Sequence, residues 1–167
     1  LTTSRPVRQA MMNDYSTWDI DYNTVVNQIR LSIVRLATDQ PDYTCTLMQG
    51  SGTFAIEATL GSVIPRNGKV LIVSNGAYGK RMAQIVNRLD IDHIEIEHRE
   101  TELPDLDRIK RALSGDRAIS HVAMVHCETT TGMLNPAEQV GKLAAEFDKS
   151  YILDAMSSFG GIPMTME

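Results

Sequence analysis

The 167 residues include only two cysteines, Cys45 and Cys127. Two are too few for a disulfide framework, and no other ligand stands at the spacing a metal site needs. Both lie in or beside apolar strand-like runs and read as buried, reduced thiols. The four histidines, His93, His98, His121 and His126, are scattered with no i, i+4 pair, so no metal centre is expected. No apolar run approaches the roughly 20 residues of a membrane span. No basic-then-apolar leader precedes Leu1, although Leu1 is not an initiator Met. Positive charge is not in excess: 16 Lys and Arg against 21 Asp and Glu leave a net charge of −5. That balance argues against nucleic acid and anionic membranes as partners. Repeats, low-complexity tracts and an internal linker are missing too. The whole chain is 43% hydrophobic and 22% charged, the composition of a globular protein long enough to bury a core. A cytoplasmic, acidic protein is expected.

Two kinds of segment alternate along the chain. Thr44–Gln49, Val70–Ser74, His93–Glu97, Val122–Cys127 and Tyr151–Asp154 are short and apolar or β-branched, as strands are. Between them, Thr53–Val63, Tyr78–Leu89, Leu106–Leu113 and Pro136–Phe147 carry helical patterns. Pro104-Asp105 and Asn135-Pro136 supply turn and capping chemistry ahead of the last two. A further helix, Tyr22–Leu36, has Val25, Val26, Ile29, Ile33 and Leu36 at helical spacing and is read as packing on the core. The head, residues 1–21, is read as an N-terminal arm, and residues 22–167 as the main domain.

Alternating strand and helix predicts an α/β fold with three αβα layers and a mostly parallel sheet. Val70-Leu71-Ile72-Val73 is apolar throughout, as in a strand covered on both faces. His93–Glu97 alternates, as an edge strand does. Ligands of such sheets bind beyond the carboxyl ends of the strands, and four segments there carry chemistry.

Gln49-Gly50-Ser51-Gly52-Thr53 runs into a helix start, where small residues and unpaired N–H groups suit a phosphate. A tight turn with an N-cap explains the same residues equally well. Tyr78, between Gly76 and Gly79 at the next helix start, is an odd place for a large ring unless it covers something flat. In His126-Cys127-Glu128-Thr129-Thr130-Thr131-Gly132, a run of hydroxyls can bond a polar ring substituent, while Glu128 is either a general base or a cap. Asp154 ends an apolar strand, a costly place for a carboxylate without a cation. A protonated pyridine nitrogen, an arginine or a magnesium ion each answers that need. Together, a phosphate cradle, a stacking ring, hydroxyls and a buried carboxylate match a flat, phosphorylated, cationic heterocycle better than a dinucleotide. A nicotinamide dehydrogenase fits poorly, since Gly-x-Gly-x-x-Gly is missing and Ser74-Asn75 stands where an acidic residue is wanted.

These residues resemble the class V branch of the fold-type I aminotransferases. Within that branch the likeness is to the members that act on 2-aminoethylphosphonate and pyruvate. It is carried by Thr17-Trp18-Asp19 with Asp21-Tyr22-Asn23, by Val26–Arg30, by Asp42–Thr53, by His126–Gly132 and by Asp154–Gly161. The resemblance implies pyridoxal 5'-phosphate as cofactor, held at its phosphate by Ser51, Gly52 and Thr53. Tyr78 would stack on the ring, Met156 pack on its other face, Thr129 face the 3-oxygen, and Asp154 pair with the pyridine nitrogen. It further implies a homodimer, and amino transfer from 2-aminoethylphosphonate to pyruvate, giving phosphonoacetaldehyde and L-alanine.

The family's Schiff-base lysine is expected downstream of Glu167, since Lys69, Lys80, Lys110, Lys142 and Lys149 match no such role; no catalytic residue is assigned within 1–167. The chain is therefore expected to be part of the large domain, inactive alone. Two alternatives remain: a sibling alanine–glyoxylate or serine–pyruvate aminotransferase, and a non-catalytic, cofactor-binding paralogue.

Overall fold

The computed structural model describes residues 2–166. The chain forms two compact units, one of Leu1–Leu47 with Met164–Glu167 and one of Met48–Pro163.

The first unit holds two helices, α1 (Arg5–Ala10) and α2 (Ile20–Ala37). Pro6 opens α1, where its missing N–H costs nothing. Every described residue through Asp21 is exposed. The periodic apolar face of α2 does not join a core: Ala37 is its one buried residue, and Val25, Ile29 and Leu36 are exposed. Periodicity reports which side chains share a face and says nothing of whether that face is covered. The strand expected over Thr44–Gln49 is likewise not formed. A strand needs a neighbour to take its backbone groups. Here a side chain serves one of them instead, Arg30 Nε donating to the Cys45 carbonyl at 2.6 Å while Arg30 Nη2 donates to Thr44 Oγ1 at 3.0 Å.

The second unit begins with α3 (Gly52–Val63). It continues through β1 (Lys69–Ser74), α4 (Ala77–Arg88), β2 (Asp92–Glu97), α5 (Leu106–Gly115) and β3 (Ile119–Val125). A small antiparallel pair, β4 (Cys127–Glu128) and β5 (Met133–Leu134), precedes α6 (Ala137–Glu146) and β6 (Ser150–Asp154). The main sheet is parallel throughout, in the order β2-β1-β3-β6. The alternating β2 lies at its edge, as the sequence predicts.

Successive residues of β1 point to opposite faces. Val70 and Ile72 pack with Leu60 of α3 and Met82 and Val86 of α4. Leu71 and Val73 pack on the other side with Ile109 and Leu113 of α5 and Val140 and Ala144 of α6. Both faces are covered, which explains the unbroken apolar run and gives the three αβα layers. The chain leaves β1 toward β2, then crosses back through α5 to β3 and proceeds to β6. The direction of travel thus reverses between β1 and β3, and the crevice at their carboxyl ends is where such sheets bind ligands.

Candidate active site

Four loops meet at that crevice. Ser51 caps α3, its Oγ accepting from Phe54 N at 3.4 Å. This long bond leaves the other first-turn amides available, and the helix dipole makes the place attractive to an anion. Gly52 gives the close approach: a Cβ there would sit 3.0 Å from Met156 Cγ. Tyr78 lies in the first turn of α4, half-buried, and Arg81 follows one turn later on the same helix face. The Arg81 guanidinium carbon lies 5.5 Å from the centre of the Tyr78 ring, and Arg81 Nη1 donates to Thr53 Oγ1 at 3.3 Å. A cation thus joins the Tyr78 ring to the small-residue turn.

The loops after β3 and β6 are tied to each other. His126 N donates to the Asp154 carbonyl at 2.8 Å, and Ser157 Oγ donates to the Cys127 carbonyl at 2.6 Å. The buried His126 ring meets Ser158 Oγ through Nδ1 at 2.9 Å. Burial pushes the His126 imidazole below its ordinary value, because desolvation disfavours the charged ring. Asp154 Oδ1 accepts from Met156 N at 3.0 Å. Among the described residues no arginine or lysine forms an ion pair with Asp154.

One cavity of about 410 Å³ lies between these loops, a size suited to a small organic cofactor. All seven residues singled out from the sequence line it: Ser51, Gly52, Thr53, Tyr78, Thr129, Asp154 and Met156. Arg81, Cys127 and Ser157 also line it and were not singled out. The signal for Arg81 was its place three residues after Tyr78 on a helix. Among the described residues Asp154 is the one acidic residue of the lining and Arg81 the one cation. No lysine lines the cavity among the described residues. Lys69, Lys80, Lys110 and Lys142 instead pair with surface carboxylates, Lys69 reaching Asp116 at 3.0 Å and Lys80 reaching Glu97 at 2.6 Å.

Three sequence readings need correction. Asp154 is half-buried at the cavity wall and not buried. Cys45 and Cys127 are free thiols but half-buried, since Cys45 lies on an unpaired segment and Cys127 faces the cavity. The turn at 49–53 follows an irregular segment, not a strand, and the start of α3 alone presents it to the crevice. Glu128, open between base and cap, lies outside the cavity lining and binds backbone amides at the start of α4.

A family profile described as aminotransferase class V matches residues 7–167. The chain belongs to the class V aminotransferases. It is 53% identical over 164 residues to a 2-aminoethylphosphonate–pyruvate transaminase of Syntrophobacter fumaroxidans, covering 98% of this chain and 44% of that protein. The corresponding enzyme of Salmonella paratyphi C is 56% identical over 165 residues, covering 98% of this chain and 45% of that one. Among solved structures, alanine–glyoxylate aminotransferase from Nostoc sp. superposes with a TM-score of 0.86 at 29% identity, covering 96% of this chain and 42% of that one. Ureidoglycine–glyoxylate aminotransferase from Bacillus subtilis gives 0.88 at 25% identity, covering 96% and 41%. The chain therefore spans less than half the length of these relatives and solved structures. No helix of the described residues is long and apolar enough to cross a membrane.

Proposed function

We propose that the full-length protein is a pyridoxal-phosphate-dependent transaminase moving the amino group of 2-aminoethylphosphonate to pyruvate, yielding phosphonoacetaldehyde and L-alanine. The observation that carries the cofactor assignment is Asp154: a carboxylate at a strand end, lining the cavity, that forms no ion pair among the described residues. A cationic ring nitrogen answers that need directly. The donor set fits the rest of the cofactor. The start of α3 at Ser51–Thr53, with Arg81 bonded to Thr53 Oγ1, offers amides, a hydroxyl and a guanidinium to a phosphate. Gly52 keeps that approach free of a side chain, and Tyr78 offers a flat face.

When bound, the cofactor supplies an electron sink and a carrier for the amino group. The chain's own residues supply placement. Asp154 would hold the proton on the ring nitrogen, Thr129 would offer its hydroxyl to the 3-oxygen side, and Tyr78 and Met156 would pack against the ring. We further propose that the working enzyme is a cytoplasmic homodimer, as the family resemblance implies; sedimentation of the purified protein checks the dimer. The curated relatives' names favour the aminophosphonate as donor over the alanine and glyoxylate of the sibling enzymes.

The test is to add pyridoxal phosphate, 2-aminoethylphosphonate and pyruvate to the full-length protein and assay L-alanine. Bound-ring absorbance with alanine formation is expected. Asp154→Asn should weaken cofactor binding by at least about tenfold, as removing one partner of a charge pair does. No bound-ring absorbance refutes the cofactor; binding without alanine formation refutes the reaction.

A further inference from the structure

Glu128 is a fully buried carboxylate, 0% exposed, that does not line the cavity. It forms no ion pair among the described residues. Its Oε1 accepts from Gly79 N at 2.8 Å and its Oε2 from Tyr78 N at 3.2 Å. Both oxygens therefore serve the first turn of α4, where a negative group also meets the positive end of the helix dipole. The ordinary capping position is filled by Gly76, which offers no side chain. A serine, threonine, aspartate or asparagine is the preferred residue there, because its side chain accepts from a first-turn amide. Here the cap comes instead from a residue 50 positions along the chain.

Gly76 makes that possible. A Cβ on it would lie 2.6 Å from Glu128 Cδ. Its φ of −178° is extended backbone open to any residue, so the glycine supplies space and not conformation.

A local cap would stabilise α4 without tying it to anything. A cap from the β3 side fixes the start of α4 to the loop that carries Thr129, the next residue after Glu128. Tyr78 and Thr129 both line the cavity, so this carboxylate sets the spacing between two of its walls. We propose that Glu128 is a positioning residue that holds the Tyr78 ring in register with the Thr129 hydroxyl for a flat ligand. The proposal rests on the reading that the cavity takes pyridoxal phosphate.

The test is a mutant cycle on the full-length protein, read by cofactor titration and by the circular dichroism of the bound ring. Glu128→Gln keeps one acceptor but turns an NH2 toward the other amide. It should weaken cofactor affinity about tenfold, the size of coupling between residues in one hydrogen-bonded network, and change the ring's dichroism. Amide exchange at Tyr78 and Gly79 should quicken while the rest of α4 stays protected. In a Tyr78→Leu background the same change should alter affinity less than about twofold. Gly76→Ala displaces the carboxylate without touching its charge and should reproduce the pattern. Equal losses in both backgrounds, or no loss from either variant, overturn the proposal alone. A wild-type protein that takes up no cofactor overturns the cofactor reading, and this one with it.

Discussion

Asn75 and Asn135 form a buried amide pair at the base of the crevice, and removing one of them should be costly. Asn75 Nδ2 donates to Asn135 Oδ1 at 2.7 Å, and Asn135 Nδ2 returns a bond to Asn75 Oδ1 at 3.0 Å. Asn135 Nδ2 also donates to the Val125 carbonyl at 2.8 Å, and Asn75 Nδ2 to the Glu102 carbonyl at 3.0 Å. The pair joins the end of β1 to the end of β3 and to the segment entering α5. Asn135→Leu keeps the approximate volume and leaves no room for a replacing water. It strands two buried acceptors, Val125 O and Asn75 Oδ1, and one hydrogen of Asn75 Nδ2, whose other bond to the Glu102 carbonyl stays. Each stranded buried group costs about 1–3 kcal/mol, so a loss of about 3 kcal/mol is expected. For a domain of this size that lowers the melting temperature by roughly 6–12 °C. The Asn75→Leu/Asn135→Leu double variant should cost less than the two single losses summed, by about 1–3 kcal/mol, because neither amide is left to be stranded by the other's removal. Urea titration followed by far-UV circular dichroism measures all three. A single-variant loss below about 1 kcal/mol, or strict additivity, refutes the argument.

Three further outcomes follow from the same geometry. Gly52→Ala meets only the exposed Met156 side chain, nearest at Cγ, so it should change stability by less than about 1 kcal/mol, yet lower cofactor affinity in a spectroscopic titration. Arg81→Met removes the cation lining the cavity; affinity for inorganic phosphate as a probe should fall, and the wild-type affinity should weaken with added salt while the variant's does not. His121 and His126 are both shifted downward by burial. In the unfolded chain they take up protons below about pH 6.5, and in the folded one only at lower pH, so stability is full above that value and declines as pH falls through it. Melting temperature measured from pH 7.5 to 5 should fall, and His126→Asn should flatten part of that slope.

The sequence determined what depends on near neighbours. Four helices of the second unit and its main strands were legible because periods of 3.6 and 2 are local properties. The unbroken run Val70–Val73 announced a strand covered on both faces, and the two clusters on either side of the sheet supply the covers. The place of the cavity followed as well, because parallel sheets open at the carboxyl ends of their strands, and Ser51, Tyr78, Thr129 and Asp154 all follow or end an apolar segment.

Tertiary structure decided what depends on remote partners. Thr44–Gln49 has the composition of a strand, but composition cannot supply the neighbour that a ladder requires. The apolar stripe of α2 was equally visible and equally silent about what covers it. Glu128 is the sharpest case. A glutamate beside a run of hydroxyls serves as a base or as a cap depending on which groups it meets, and those groups lie about 50 residues earlier. The chain's chemistry was written in its residue types; the role of each charge was fixed only when folding chose its partner.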